Sequence, residues 1–273
     1  MKWSWKLGRF AGVDVYLHFT FLLMLGWFAI SDAVAGRSLM AGVWGLGFTV
    51  ALFASVLLHE YGHALTARRF GVGTRDITLY PIGGVASLER MPDDPKQELW
   101  VALAGPAVNV AIAVALYLIA QLTGIWTPLS QLSLNSGSFI ERLMLVNISL
   151  VIFNLLPAFP MDGGRVLRAI LAMRMNYVRA TDWAANLGKG MAALFGLMGL
   201  FNSPMLLLVA GFVWLAATGE AKATRMKYAW SYAPNTNPTY NDFDAQSHEV
   251  VTVPVMRDGH VVGWTHYRRW TNV

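Results

Sequence analysis

Residues 56–65 have the sequence VLLHEYGHAL, in which two histidines and a glutamate interrupt a run of mostly apolar side chains. On an α-helix His59 and His63 lie one turn apart on the same face, with Glu60 beside them. This His-Glu-x-x-His arrangement lets two imidazoles bind one zinc ion while the carboxylate acts as a general base. The stretch therefore predicts a helical metal site with hydrolytic chemistry.

The surroundings of this motif place it within a membrane. Residues 47–55, which precede it, are uncharged, and the chain of 273 residues is 55% hydrophobic but only 14% charged. This composition predicts an α-helical integral membrane protein in a lipid bilayer. Ionisable side chains at membrane depth are costly and usually functional. We therefore favour a metal site over three residues that merely satisfy one another between packed helices.

The composition also excludes several kinds of site and partner. The chain has no cysteine, which excludes disulfides, thiolate metal sites and a cysteine nucleophile, and leaves His, Asp and Glu as candidate ligands. The net charge of +5 comes from basic residues spread among loops beside apolar segments. Retention of these loops in the cytoplasm explains the charge better than a nucleic-acid partner does.

Six apolar segments predict six transmembrane helices, at about residues 15–34, 41–70, 97–123, 139–157, 183–201 and 204–218. A cleaved signal peptide is the alternative for the first segment, but its apolar stretch exceeds the roughly 7–15 residues of such a signal. With the N-terminus inside, Lys and Arg concentrate in the inner loops, and only Arg37 and Arg142 lie outside. This bias predicts a multi-pass protein of the cell membrane with both termini in the cytoplasm.

The fourth apolar segment ends in residues 154–165, NLLPAFPMDGGR, whose prolines and glycines predict irregular backbone. Such backbone at membrane depth is tolerated where it lines a cavity. Asp162 is presented there and can supply the third protein ligand that a two-histidine zinc site needs, although N-capping of the next helix is the alternative. Asn109, which follows the small residues 104–107, either bonds a neighbouring helix or contacts a substrate.

These motifs together resemble the site-2 protease family of intramembrane zinc metalloproteases. The resemblance covers about residues 10–220 and also includes Tyr-Pro-Ile-Gly-Gly at residues 80–84 and Gly-Pro-x-x-Asn at residues 105–109. It implies that one Zn²⁺ is bound per chain, that Glu60 is the catalytic acid and base, and that Asn154 helps to hold the scissile carbonyl or its oxyanion. It also implies a transmembrane protein substrate, cleaved in or near its membrane helix. The residues expected to bind zinc are His59, His63 and Asp162.

Short β-prone runs around a glycine pair, within residues 74–89, predict a small membrane-associated β-hairpin between helices two and three. Lipid-exposed strands are not tolerated, so this hairpin must lie against protein or at the interface. An exposed edge there can pair with an unwound substrate by strand addition. The alternative is a hairpin that only closes the loop. The candidate substrate-binding residues are Pro81, Gly83, Gly84, Val85 and Asn109.

The expected organisation is a six-span metalloprotease domain at residues 1–220 and a small cytoplasmic tail at residues 221–273. Within the tail, residues 250–264 resemble one strand pair of a CBS module, but about 50 residues cannot hold the usual pair of modules. The alternative function is a non-catalytic zinc-binding membrane receptor or transporter. Glu60 discriminates between the two, because a transit site has no need of a carboxylate directly after the first histidine. The oligomeric state is not encoded in these patterns.

Overall fold

The computed structural model describes residues 3–124, 137–231, 248–257 and 260–270, and these residues are mostly helical. The predicted loop at residues 124–138 lies largely outside the described residues. In chain order, the elements are β1 Ser4–Phe10, β2 Val13–His18, α1 Phe19–Val34, α2 Leu39–Arg69, β3 Thr74–Tyr80, β4 Gly83–Leu88, α3 Pro95–Thr123, α4 Phe139–Asn154, α5 Asp162–Ala172, α6 Tyr177–Asn202, α7 Pro204–Ser231, β5 His248–Arg257 and β6 His260–Trp270.

Four helices in the described part of the chain, α2, α3, α6 and α7, are long and apolar enough to cross a membrane. Helices α1 and α4 have 16 residues each, or about 24 Å, which is shorter than a hydrocarbon core of about 30 Å. The chain is therefore a multi-pass membrane protein. Six spans were expected from the sequence, and four of the described helices are long enough to form them.

The packing of the long helices is typical of a lipid environment. Small residues such as Ala184, Ala185 and Ala217 are buried between α6 and α7, whereas Phe201 and Leu215 are 81% and 73% exposed. In a bilayer, large apolar side chains face lipid at no cost, and small residues at helix contacts let the backbones approach closely.

The N-terminal region differs from its expected form. Residues Val13–His18 form strand β2, so α1 begins at Phe19 and not near residue 15. The strand alternates apolar with polar or aromatic side chains, and it pairs antiparallel with β1 and parallel with β3. The hairpin of β3 and β4 is therefore not free-standing, but one half of a four-stranded sheet in the order β1-β2-β3-β4.

This sheet is fastened to the helix that carries the His-Glu-x-x-His motif. Val13 and Ile77 pack with Ala64 in one buried cluster. The Tyr61 hydroxyl donates to a carbonyl at the β1 to β2 turn, that of Phe10, across 3.1 Å. Arg68 donates to the next carbonyl in that turn, across 3.0 Å. These contacts hold the sheet, of which β4 is an edge strand, against α2.

The C-terminal part continues the last membrane helix. Helix α7 runs from Pro204 to Ser231, so the expected domain boundary at residue 220 falls within it. Strands β5 and β6 then form a separate antiparallel pair.

Candidate metal centre

Three buried side chains converge on one point between α2 and α5. The Nε2 atoms of His59 and His63 and the Oδ2 atom of Asp162 lie 3.1 Å from one another in all three pairings. Each residue is 4–6% exposed. Zinc ligands at bond lengths of about 2.0–2.1 Å in tetrahedral geometry are about 3.3 Å apart, so this triangle fits a zinc ion closely.

A glycine leaves the space that the ion requires. A Cβ atom at Gly105 would lie 2.2 Å from Nε2 of His63 and 2.6 Å from Nε2 of His59. Gly62, on α2, also permits close contact with α3, since a Cβ atom there would lie 2.6 Å from the Ala104 carbonyl oxygen. The small residues therefore bring α3 against the metal-site face of α2, as their sequence predicted.

The bend before α5 directs Asp162 into the site. Met161 occupies the N-cap position, and Asp162 is the first helical residue, so the capping alternative for Asp162 is wrong. Gly163 and Gly164 let this helix start pack directly on the bend, because Cβ atoms there would lie 2.3 Å from the Leu156 oxygen and 2.8 Å from the Ala158 carbonyl carbon.

The carboxyl group of Asp162 is held in its ionised form. Burial raises its pKa, but the contacts with His59 and His63 and the nearby Arg165 charge outweigh burial and hold the pKa below its usual value. An ionised carboxylate is the form that binds a metal ion.

Both imidazoles are oriented from behind through Nδ1. Nδ1 of His63 donates to the Val101 carbonyl across 2.7 Å, and Nδ1 of His59 lies 2.6 Å from the Asn109 side-chain oxygen. Asn109 is fully buried and donates with its amide nitrogen to Asn147 across 3.0 Å. Of the two roles expected for Asn109, the structure thus gives it the interhelical hydrogen bond, and this bond holds a candidate metal ligand.

Glu60 lies beside the three candidate ligands and against strand β4. Its Oε2 atom accepts the Ala86 N–H across 3.3 Å. A Cβ atom at Gly84 would lie 2.8 Å from Cγ of Glu60. The glycine therefore lets the edge strand approach the carboxylate closely enough for a backbone contact.

The other predicted site residues take no part in the hydrogen bonds of this cluster in the described part of the chain. Asn154 is the half-buried last residue of α4, and no hydrogen bond in the described part of the chain joins it to the candidate ligands. Pro81 and Gly83 flank the exposed tip of the β3 to β4 hairpin, and the side chain of Val85 points away from the core, with 49% of the residue exposed.

Two sets of buried polar contacts in the described part of the chain were missed from the sequence. Asn147, which is fully buried, contacts Asn109. Arg168, on the helix that begins at Asp162, donates to Glu98 and Glu220, and Glu98 is fully buried. The signal that could have identified them is a polar side chain within or beside an apolar segment. Such a side chain is costly in a membrane and is therefore expected to pair with another polar group.

Comparisons with known proteins agree with this geometry. The family model described as peptidase family M50 matches residues 47–133 and 124–197. A zinc metalloprotease from Methanocaldococcus jannaschii is 34% identical over 280 residues, covering 96% of this chain and 78% of the relative. Rip3 of Mycobacterium tuberculosis is 38% identical over 228 residues, and the match covers 80% of this chain but 56% of Rip3. The solved structure of a site-2 protease from M. jannaschii matches with a TM-score of 0.57 and 36% identity, covering 80% of this chain and 95% of that one.

Proposed function

Since this chain belongs to peptidase family M50, the family of site-2 proteases, we propose that its zinc ligands are His59, His63 and Asp162 and that Glu60 is the catalytic base. The protein is an intramembrane zinc endopeptidase that hydrolyses peptide bonds of membrane proteins. The observation that carries the residue assignment is the 3.1 Å triangle of ligand atoms, which Gly105 approaches closely.

Each residue has a distinct part in the reaction. When bound, zinc supplies the Lewis-acid chemistry that activates water at neutral pH. Glu60 accepts the proton of the attacking water and transfers it to the leaving amine. Asn154 is proposed to donate to the scissile carbonyl, which requires the substrate to reach the end of α4. Burial of the ligands keeps bulk water and lipid away from the reacting atoms.

The competing reading, a zinc receptor or transporter, explains the three ligands but not Glu60. A transit site needs ligands that release the ion, whereas a carboxylate beside the ligands is what hydrolysis requires. The chemistry of Glu60 and the membership of the family therefore both favour an enzyme over a receptor or transporter.

The test is cleavage of a single-span membrane protein by the purified chain in lipid bilayers. Glu60→Gln should retain about one zinc per chain and lose cleavage, because an amide cannot accept the proton. His59→Ala, His63→Ala and Asp162→Ala should each lose zinc as well as activity. Wild-type turnover by Glu60→Gln, or full zinc occupancy in Asp162→Ala, would overturn the corresponding assignment.

We also propose that the substrate adds as a strand to the outer edge of β4, which pairs with no further strand in the described part of the chain. A helix hides its peptide bonds in its own hydrogen-bond ladder, so a substrate must be unwound, and pairing satisfies backbone groups that lipid cannot. What supports this is the position of β4, which is last in its sheet and contacts Glu60 through Ala86. The backbone of Gly84 and Ala86 would then face the substrate, with Pro81, Gly83 and Val85 shaping the approach.

The membrane arrangement is proposed to have six crossings with both termini in the cytoplasm. Helices α1 and α4 are short, and local thinning of the bilayer or flanking residues would complete their spans. The excess of Lys and Arg on the inner loops supports this orientation. Residues 1–220 would form the protease domain, and residues after about 221 a small cytoplasmic tail that begins with the end of α7.

A further inference from the structure

We infer that Asn147 is a positioning residue for the metal centre: it orients the Asn109 amide, and through Asn109 it determines which nitrogen of His59 carries the proton. The inference rests on the proposed role of His59 as a zinc ligand. It concerns the part of the site behind the ligands, where three helices meet.

A chain of hydrogen bonds crosses α4, α3 and α2. The amide nitrogen of Asn147 donates to the Leu143 carbonyl across 2.9 Å and to the Ser55 hydroxyl oxygen across 3.3 Å. The amide nitrogen of Asn109 donates to the side-chain oxygen of Asn147 across 3.0 Å, and the Asn109 oxygen lies 2.6 Å from Nδ1 of His59. Both asparagines are fully buried, so water cannot replace these partners.

The donor and acceptor in each of these hydrogen bonds follow from the two acceptors that face Asn147. A backbone carbonyl can only accept, and the Ser55 hydroxyl gives its own proton to the Ala51 carbonyl across 3.2 Å. Asn147 must therefore turn its NH₂ group toward these two acceptors and its oxygen toward Asn109. Asn109 in turn must donate to Asn147 and present its oxygen to His59.

The orientation of the Asn109 amide determines the protonation of Nε2 of His59, the atom that faces the metal position. Nδ1 of His59 has to be the donor, so in the neutral ring Nε2 keeps its lone pair for the ion. His63 reaches the same tautomer directly, because its Nδ1 donates to the Val101 carbonyl. One histidine is thus fixed by a backbone carbonyl, and the other by two amides that end on a backbone carbonyl.

Without Asn147, no other hydrogen bond in the described part of the chain would fix the direction of the Asn109 amide. If the amide reversed, its NH₂ group would face His59, Nδ1 would have to accept, and the proton would move to Nε2. A proton on Nε2 blocks metal binding at that atom. An apolar residue at position 147 should therefore affect His59 and leave His63 unchanged.

The experiment is nitrogen NMR of the full chain, labelled with ¹⁵N-histidine and depleted of zinc, in lipid bilayers. The chain has 6 histidines, and a difference spectrum against His59→Gln isolates the His59 signals. We expect wild-type His59 to be protonated on Nδ1. In Asn147→Leu we expect an additional population protonated on Nε2 and not on Nδ1, and a zinc affinity about 10- to 100-fold weaker in competition with a chelator.

Two further variants separate this role from general packing. Asn147→Asp keeps an acceptor oxygen for Asn109, so it should retain the His59 tautomer. Ser149→Ala removes a hydroxyl that donates to the Leu145 carbonyl of the same helix, across 2.9 Å, and should change neither tautomer nor zinc affinity.

A wild-type His59 protonated on Nε2 and not on Nδ1 would overturn the inference without any variant. So would an unchanged tautomer and zinc affinity in Asn147→Leu, or loss of the Nδ1 proton in Asn147→Asp. The wild-type and Asn147→Asp outcomes decide the matter even if Asn147→Leu does not fold. None of these measurements involves proteolysis, so the inference can fail while the assignment of Glu60 stands.

Discussion

The backbone N–H of Ala86 donates to the carboxylate of Glu60, across 3.3 Å between the nitrogen and Oε2. The contact joins the edge strand of the sheet to the proposed catalytic base. Successive residues of an antiparallel strand turn their N–H groups to opposite sides. Gly84 therefore shares the outward side with Ala86, whereas the N–H of Val85 faces β3.

The first prediction concerns the space beside Glu60. Gly84→Ala should lower cleavage by about 10²-fold with zinc content unchanged, because the new Cβ atom would lie 2.8 Å from Cγ of Glu60 and displace the carboxylate. Cleavage rate and zinc content are measured on the same preparation. Gly47→Ala, on α2 with open space around it, is the matched control. Equal rates for the two variants would contradict the close approach of β4.

The second prediction tests strand addition. Ala86→Pro removes an outward N–H and should slow cleavage of a helical substrate, and substrates with helix-breaking residues near the scissile bond should recover part of the rate. Val85→Pro removes a bond within the hairpin and should mainly lower the thermal midpoint. Ile82→Ala, at a residue 89% exposed, should behave as wild type. Normal cleavage by Ala86→Pro would remove the edge from the mechanism.

The third prediction concerns the cradle of the ion. Gly105→Ala should lose zinc binding, because its Cβ atom would lie within 2.2 Å of Nε2 of His63. Relieving that overlap should also cost about 1–3 kcal/mol of stability. Metal analysis and a thermal unfolding scan measure the two effects, with Gly26→Ala as a control in open space. Retained zinc would show that α3 lies further from the ligands.

The fourth prediction concerns the ion pair that ties α5 to α3. Arg168→Leu should destabilise the fold by about 3–5 kcal/mol, because it leaves the charge of Glu98 buried without an oppositely charged partner. The double variant Arg168→Leu/Glu98→Leu should be more stable than the single one. Arg90→Ala breaks an exposed pair and should cost about 0–1 kcal/mol. The unfolding midpoints in detergent compare all three, and a double variant no better than Arg168→Leu would contradict a buried unpaired charge.

The fifth prediction maps the orientation. A chain without cysteine accepts single reporter cysteines, and the exposed positions Ala35 and Ala223 are suited to them. Ala35→Cys should react with an impermeant thiol reagent from outside the cell and Ala223→Cys only after permeabilisation. The opposite pattern would reverse the proposed topology.

Much of the helical structure was predictable because it is encoded locally. The bounds expected for the second and third helices agree with α2 and α3 to within about two residues, since a long apolar run between polar ends defines a membrane helix. The start of α1 was placed too early, because an alternating strand and an apolar helix follow one another without a turn signal at Val13–His18. Pairing with β1 and β3 determines that Val13–His18 is a strand and not the start of a helix.

The sequence by itself determined the chemistry of the site: the His-Glu-x-x-His spacing sets two imidazoles on one helical face, and the absence of cysteine limits the remaining ligands to residues such as Asp162. Only the tertiary structure decided what stands behind and beside them. Asn147 meets Asn109, and Ala86 meets Glu60, across separations of 38 and 26 residues. No periodicity in the chain records such pairs, because helix packing and strand register set them, and both form only when distant segments are buried together.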